Sequence, residues 1–200
     1  RVGEAAHRAR ELVQQILSFS RQDESRRLEV EPFRLVDETL ALFKSTLPPQ
    51  IEVRQSTKPT GTVFADPTQL HQVLLNLLTN ARHAVSSRQT GAIEIGIESR
   101  HLAPGELVHP GLRPGPHVRL WVKDDGEGMS QSVADRVFEP FFTTKPVGQG
   151  TGLGLSVVHG IVTRMGGAIL VETEPGMRTR FEVYLPENRG PARDSGRPVS

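Results

Sequence analysis

The chain has 200 residues, enough for one well-packed domain or two small ones, and its 36% hydrophobic and 24% charged residues indicate a folded globular protein. Its 24 Lys and Arg residues against 23 Asp and Glu leave a formal charge of +1, which argues against nucleic acid or an acidic membrane as a partner. Without cysteine there is no disulfide scaffold, cysteine-ligated zinc or thiol nucleophile, and without a long apolar run or signal peptide we expect a cytoplasmic location.

An amphipathic helix is the first predicted element, over residues 1–27. Its apolar residues recur at alternating spacings of four and three and form one seam of Ala5, Ala9, Leu12, Ile16 and Phe19. A lone helix cannot bury such a seam, so we expect a partner helix. Because the pattern is already under way at Arg1, we expect these residues to be the later part of a longer helical element.

Short strands and helices alternate after residue 27. Period-two patterns and turn residues predict strands over 28–31, 51–54, 62–64, 92–97, 118–122, 168–171 and 179–185. Helical periodicity predicts helices over 35–47, 67–86 and 154–165, the second of them started by Asp66 and Pro67. We expect Pro32 to close the first strand, 101–116 to be an exposed loop and 187–200 to be a disordered tail or linker. The sequence thus predicts an α+β domain over 28–186 with helices over one face of a sheet.

The helix over 67–86 carries a narrow stripe of polar side chains. Gln72, Asn76, Asn80 and His83 fall within a strip roughly 80° wide, and leucines fill the opposite arc. Asparagine oxygens are suitable ligands for Mg²⁺, and their NH₂ groups can donate to phosphate oxygens. The alternative is that the stripe is only the solvent face of an amphipathic helix.

An acidic, glycine-containing segment follows the strand over 118–122. Asp124 stands at the strand end, and Gly126 and Gly128 allow the backbone to turn and approach a flat ligand. A carboxylate accepts but cannot donate, so Asp124 suits the exocyclic amine of adenine and opposes the carbonyl of guanine. An ordinary acidic turn remains the alternative.

A segment rich in phenylalanine and glycine precedes the last predicted helix. Glycines at alternate positions from 148 to 154 allow the backbone amides to wrap a polyphosphate, and the last of them open a helix whose N-terminus favours anions. Lys145 and Thr151 can add a charge and a hydroxyl group. Phe138, Phe141 and Phe142 are interpreted as apolar anchors of a lid, whereas a merely flexible loop would not need them.

Four motifs follow one another in the order found in sensor histidine kinases, and the chain resembles that family. The N box of the family is similar to Asn76-Leu77-Leu78-Thr79-Asn80-Ala81, and its first glycine box to Asp124-Asp125-Gly126-Glu127-Gly128. The F box is similar to Phe138-Glu139-Pro140-Phe141-Phe142, and the second glycine box to Gly150-Thr151-Gly152-Leu153-Gly154-Leu155. The resemblance implies a Bergerat-type ATP-binding fold, a two-layer sandwich of a mixed sheet covered by about three helices. It also implies that the helix over 1–27 is the second helix of a dimerisation and histidine-phosphotransfer hairpin.

The resemblance assigns roles to individual residues. Asn76 would ligate Mg²⁺ and Asn80 would contact phosphate or the metal, while Asp124 would hold the adenine amine. Lys145 would serve the lid and phosphates, and together with Asn76 and Gln72 it makes up the predicted catalytic set. The further nucleotide contacts implied are His83, Gly126, Gly128, Met129, Phe138, Thr144, Gly150, Thr151, Gly152, Leu153, Gly154, Leu155 and Thr179.

Three positions depart from the family pattern. His83 stands where a lysine or arginine is frequent, which leaves the charge beside the phosphates open. Arg178 replaces a frequent glycine, so Thr179 becomes the plausible contact. His7 is followed by Arg8 rather than by the acid of a phosphoacceptor motif, so we expect the acceptor histidine to be absent from this chain.

The resemblance implies an ATP- and Mg²⁺-dependent protein-histidine kinase domain of a two-component system. Its partners would be a hairpin carrying the acceptor histidine and a receiver domain that takes the phosphoryl group on an aspartate. The parent would be a homodimer, and the sequence leaves open whether a membrane anchor holds it. One alternative is a true ATPase of the same superfamily, but such hydrolases place a glutamate where this chain has Gln72, whose amide cannot act as a general base. The other is a non-catalytic adenine-nucleotide-binding module.

Overall fold

The computed structural model describes residues 27–86, 88–106, 108–146 and 150–188. The predicted helix over 1–27 lies outside the described residues except for Arg27. The elements in chain order are β1 (Leu28–Val30), α1 (Pro32–Lys44), β2 (Ile51–Thr57), β3 (Val63–Ala65), α2 (Pro67–Val85), β4 (Gly91–Leu102), β5 (Gly115–Asp124), α3 (Gln131–Ala134), α4 (Gly154–Arg164), β6 (Ala168–Glu174) and β7 (Arg178–Pro186). No helix of the described residues has the length and apolar character needed to cross a membrane.

A five-stranded mixed sheet is the frame of the domain, with strand order β2-β4-β5-β7-β6. The edge strand β2 runs parallel to β4, and all other neighbours in this sheet are antiparallel. A separate antiparallel pair joins β1 to β3, with Leu28 opposite Ala65. The predicted α+β class and mixed sheet are therefore confirmed.

The hydrophobic core lies between the five-stranded sheet and the helices. Alternate residues of the central strands, such as Ile95 on β4 and Val183 on β7, are fully buried on this face. They pack against the apolar arcs of α1, α2 and α4, represented by Leu40, Leu77 and Val158. Burying each of these aliphatic side chains contributes about 1.5–3 kcal/mol, so this one interface accounts for most of the hydrophobic stabilisation.

No helix of the described residues packs on the second face of the sheet, where side chains of the strands cover one another. Trp121 is only 7% exposed because the guanidinium groups of Arg119 and Arg180 lie 5.2 and 5.3 Å from the centre of its ring. Arg119 also forms an ion pair with Glu182 at 2.5 Å. On the neighbouring strand Gly96 leaves the space that the indole occupies, because an added Cβ would lie 1.9 Å from the ring.

The ends of several elements differ from the sequence prediction. Pro32 begins α1 rather than closing a strand, because proline fits the first turn of a helix, where its missing N–H is not needed. Strands β4 and β5 continue to Leu102 and from Gly115, so the predicted loop over 101–116 is shorter than expected. The short helix α3 had no apolar period long enough to be predicted.

The chain stays attached to the domain just beyond β7. The carboxylate of Glu187, which is 7% exposed, accepts hydrogen bonds from the Gly61 N–H at 2.7 Å and from the Ser99 hydroxyl. The backbone N–H of Asn188 donates to the Thr62 carbonyl at 2.7 Å. The first two residues of the predicted tail therefore close one end of the sheet, and residues 189–200 lie outside the described part.

Candidate functional site

Helix α2 brings the predicted polar stripe to the border of the core. Asp66 caps the helix by accepting a hydrogen bond from the Thr68 N–H at 2.8 Å, and Pro67 occupies its first turn, as predicted. The apolar arc is buried, while Gln72, Asn76 and Asn80 are half-buried. The amides are thus held beside the core rather than free in solvent.

Asn76 lies against the first turn of α4. A Cβ atom added at Gly154 would lie 3.1 Å from the Asn76 Oδ1, so the glycine keeps the helix start and the amide oxygen close together. The first N–H groups of a helix have no partner within the helix and carry a partial positive charge. An amide oxygen and a helix N-terminus therefore meet at one point, a combination that suits a metal-bound polyphosphate.

Asp124 is the residue predicted to contact the adenine amine. It stands at the end of β5, level with Thr179 on β7, and is only 3% exposed. Its Oδ1 accepts a hydrogen bond from the Gly126 N–H at 3.0 Å. Burial raises the pKa of Asp124 to about 6; the Gly126 N–H works against this rise, and the nearby charge of Asp125 adds to it.

Two glycines allow the loop after β5 to pack closely against its neighbours. A Cβ atom at Gly126 would lie 2.6 Å from the Ala84 carbonyl oxygen at the end of α2. Gly128 has a φ of 63°, and its Cβ would lie 2.0 Å from the Glu174 carbonyl oxygen. A larger residue at either position would force the loop away from α2 or β6.

A line of hydroxyl groups connects this loop to the last two strands. Thr173 Oγ1 accepts from the Met129 N–H at 2.8 Å, donates to the Arg178 carbonyl at 3.1 Å, and lies 3.2 Å from the buried Thr179 hydroxyl. Thr173 was missed by the sequence reasoning because a threonine on an edge strand is ordinary there. Met129 itself packs on the hydrophobic core.

The predicted lid segment is anchored by one of its three phenylalanines. Phe138 packs against the His159 and Phe181 rings, with centroid distances of 5.6 and 6.3 Å, and contacts the core. Phe142 lies under the Arg136 guanidinium at 4.4 Å. Phe141 is 72% exposed and is not an apolar anchor; its backbone N–H donates to the Gly152 carbonyl at 2.9 Å, so the main chain makes the link.

The side chain of Lys145 reaches α2. Its Nζ lies 2.8 Å from Nδ1 of His83, so these two predicted phosphate contacts are brought together. Burial lowers the pKa of Lys145. Partial burial of the ring, followed by the positive charges of Lys145 and Arg82, lowers the pKa of His83.

The other predicted residues of this segment have different surroundings. Gly150 lies beside Thr143 and Lys145, and Thr144 is exposed. Thr151 Oγ1 accepts from the Leu153 N–H at 3.3 Å and thereby shapes the entry to α4. Leu153 and Leu155 pack inward. Gly152 has a φ of 67°, which suits the turn that precedes the helix.

Gln72 lies one turn before Asn76 in a shallow groove between α2 and α4. The groove is lined by Gln69, Gln72, Ser156, Val157, Gly160, Ile161 and Arg164. The part of the chain that the structure describes holds no cluster of three or more His, Asp or Glu side chains suited to a metal ion. A metal bound at Asn76 would therefore share its remaining coordination with water and ligand phosphates, as Mg²⁺ commonly does.

Comparison with protein families gives a match to the site-bearing part of the chain. The family described as histidine kinase-, DNA gyrase B-, and HSP90-like ATPase matches residues 65–189. The sensor kinase CckA of Brucella abortus is 36% identical over 183 residues, which cover 90% of this chain and 19% of CckA. The sensor histidine kinase ZraS of Escherichia coli is 39% identical over 126 residues, which cover 63% of this chain and 23% of ZraS. The chain thus spans about a fifth of the length of these curated relatives.

Solved structures of histidine kinases superpose on this chain and share its fold. The nucleotide-free catalytic domain of the histidine kinase ThkA superposes with a TM-score of 0.65 at 30% identity, covering 80% of this chain and 95% of that domain. Full-length ShkA in complex with AMPPNP superposes with a TM-score of 0.69 at 28% identity, covering 91% of this chain and 36% of ShkA.

Proposed function

The chain belongs to the histidine kinase-, DNA gyrase B- and HSP90-like ATPases, and from this membership we propose that it is the ATP-binding catalytic domain of a two-component sensor histidine kinase. It would bind ATP with Mg²⁺ and transfer the γ-phosphoryl group to a histidine outside this chain, for relay to an aspartate of a receiver domain. The intact parent would be a homodimer. The observation that supports the proposal is that one domain contains both a buried carboxyl group, Asp124, and an amide, Asn76, that lies against the start of α4.

The two ends of the site suit the two ends of ATP. The ionised Asp124 would accept a hydrogen bond from the adenine amine, and the loop with Gly126 and Gly128 would form the floor of the base pocket. The N–H groups at the start of α4 would hold phosphate oxygens, with Lys145 and Asn80 as further contacts. Binding at both ends orients the γ-phosphoryl group toward the acceptor, and positioning is most of what phosphoryl transfer requires from a protein.

The chemistry of Mg²⁺ complements these residues. When bound, the ion neutralises charge on the phosphate oxygens, and Asn76 is the protein residue whose oxygen would hold it. Gln72, one turn away, has an amide that cannot take a proton from water. The site would therefore keep the phosphoryl group for a histidine instead of releasing it to water.

Calorimetric titration tests nucleotide binding directly. With Mg²⁺ present, we expect ATP to bind and GTP to bind much more weakly, because the Asp124 carboxylate opposes the guanine carbonyl. Asp124→Ala should weaken ATP binding about 10- to 150-fold, the effect of losing one hydrogen bond to a charged group of about 1.5–3 kcal/mol. Equal binding of ATP and GTP, or an unaffected Asp124→Ala variant, would contradict the assignment of the base pocket.

Radiolabelled ATP tests the transfer. We expect acid-labile, base-stable label on a separately added hairpin that carries the acceptor histidine, accumulating slowly because the hairpin is not tethered. We expect no such label on this chain, because Arg8 follows His7 where an acid would be needed to take the imidazole proton. Label on the chain that disappears in His7→Ala would show that the acceptor is misplaced.

A further inference from the structure

Arg88 joins three segments that meet at the base end of the site. It follows the end of α2, where its backbone N–H donates to the Val85 carbonyl at 3.1 Å. Its Nη2 donates to two carbonyl oxygens, Gly126 in the loop after β5 and Gly176 in the turn between β6 and β7, each at 2.8 Å. These partners are 38 and 88 residues away along the chain, and Arg88 lies in none of the sequence motifs.

The two carbonyls belong to segments that also hold each other. The Gly176 N–H donates to the Glu127 carbonyl at 2.6 Å, and Gly128 lies against the backbone of Glu174. Gly126 stands between the two charged groups, because its N–H donates to Asp124 and its carbonyl accepts from Arg88. Arg88 therefore fixes the same peptide segment that orients the buried carboxylate.

The guanidinium of Arg88 suits both bonds. Its planar fork carries several N–H groups in fixed directions, so one terminal nitrogen can serve two carbonyls at once. A lysine ammonium has enough N–H donors, but its side chain is one bond shorter and its hydrogens lie in no fixed plane, so it would keep the charge and not the paired geometry. The positive charge also favours the ionised form of Asp124, which burial and the neighbouring carboxylates of Asp125 and Glu127 disfavour.

We propose that Arg88 is a positioning residue for base recognition, which clamps the Gly126–Gly128 loop to the β6–β7 turn and holds Asp124 in place for the adenine amine. The inference rests on the proposed nucleotide site. It adds a residue that acts through the pocket backbone and through Asp124, without touching the nucleotide.

Two variants separate the geometry from the charge. Arg88→Lys keeps the positive charge and loses the paired hydrogen bonds, whereas Arg88→Met loses both. With Mg²⁺ present, we expect each variant to bind ATP about 3- to 10-fold more weakly, in keeping with one or two partly exposed hydrogen bonds. Binding of inorganic tripolyphosphate should stay within twofold of the wild type, because the phosphate end lies at α4.

The pH dependence of ATP binding distinguishes positioning from general support of the fold. The charged groups acting on Asp124 are Asp125 and Glu127 of its own loop and Arg88, while its neighbours across the ladder on β4 and β7 carry no charge. ATP binding should fall as Asp124 becomes protonated at low pH. The midpoint of that fall should move to higher pH in Arg88→Met and stay in place in Arg88→Lys.

A matched control removes an arginine far from the site. Arg100 lies on β4 seven residues beyond the partner of Asp124, about 23 Å along the strand, so Arg100→Met should change neither the affinity nor the midpoint. The inference is overturned if the wild type binds ATP and both Arg88 variants match it in affinity and midpoint. It is also overturned if both Arg88 variants lose affinity for ATP and for tripolyphosphate to the same extent while the pH midpoint of ATP binding stays where it is in the wild type. Wild-type chain that binds no ATP would instead overturn the proposed function, and this inference with it.

Discussion

The ionised state that the proposed adenine contact requires of Asp124 lowers the stability of the ligand-free protein. The adenine amine requires a carboxylate, yet burial raises the pKa of Asp124 to about 6 from an ordinary value of 3.8. The stabilisation from the protonated form is fully present below pH 3.8 and is lost as the pH rises through about 6. At neutral pH the ionised group therefore lowers the free energy of unfolding by about 3 kcal/mol.

We predict that Asp124→Asn stabilises the ligand-free protein at neutral pH. The amide oxygen can still accept from the Gly126 N–H but carries no charge, so the free energy of unfolding should rise by about 1–3 kcal/mol at pH 7.5. At pH 5 the gain should shrink, because the wild-type carboxyl is then largely protonated. Urea unfolding at both values measures the difference, and a gain that is equal at pH 5 and pH 7.5 would contradict this reading.

The contact between Lys145 and His83 gives a second prediction about a single residue. An ammonium group can donate to Nδ1 only while that nitrogen is unprotonated, and the positive charge of Lys145 contributes to the lowered pKa of His83. Lys145→Met should therefore raise the pKa of His83 toward its ordinary value, while Lys145→Arg should not. Titration of the imidazole by NMR checks this, and an identical pKa in all three proteins would mean that the contact does not form in solution.

At the level of elements, helix α2 was the best predicted part of the chain. The Asp66-Pro67 start, the leucine arc and the amide stripe each follow from local rules, and all three are present in the structure. The predicted start of α1 was wrong because a proline such as Pro32 fits both the end of a strand and the start of a helix, and only packing decides between the two. The lengths of β4 and β5 could not be predicted, since pairing across the hairpin extends them past the alternating residues.

The site was only partly predictable for a related reason. Asp124 and Asn76 belong to short motifs with their own chemistry, so they could be singled out one at a time. Arg88 and Thr173 act through backbone groups that are distant in the sequence, and no local pattern marks them. The hydrogen bond from the Phe141 N–H to the Gly152 carbonyl could not be predicted either, because a sequence indicates side-chain chemistry and not the partners of main-chain groups.

We predict that helix α2 keeps hydrolysis slow. Gln72 lies one turn before Asn76, beside the proposed phosphate position, but its amide cannot accept a proton from water. Phosphate release with ATP and Mg²⁺ should be close to background in the wild type and in Gln72→Ala, and faster in Gln72→Glu. Gln69→Glu, which places the same charge in the same groove further from Asn76, is the matched control. Rapid release that persists in Gln72→Ala would favour an ATPase.

On the scale of the whole molecule, the predicted lid is the region where nucleotide should have the largest effect. Within the described residues 143–146, Thr143, Thr144 and Pro146 are exposed, in contrast to the buried strands of the sheet. We predict that amides over 143–150 exchange quickly without ligand and are protected by ATP with Mg²⁺. Peptides from β5 and β7 serve as the internal reference, and equal exchange over 143–150 in both states would argue against a lid.

The face of the sheet that carries Trp121 has a practical consequence for spectroscopy. Trp121 is the chain's one tryptophan, and it lies between two guanidinium groups on the side of the sheet away from α2 and α4. The side chain of Asp124, three residues on, points to the opposite face, because side chains alternate along a strand. Indole emission should therefore respond to melting of the sheet, when the ring leaves its cationic neighbours and enters water, and should remain nearly constant when a nucleotide binds. Trp121 fluorescence should thus report unfolding of the protein without responding to a nucleotide bound at the proposed site.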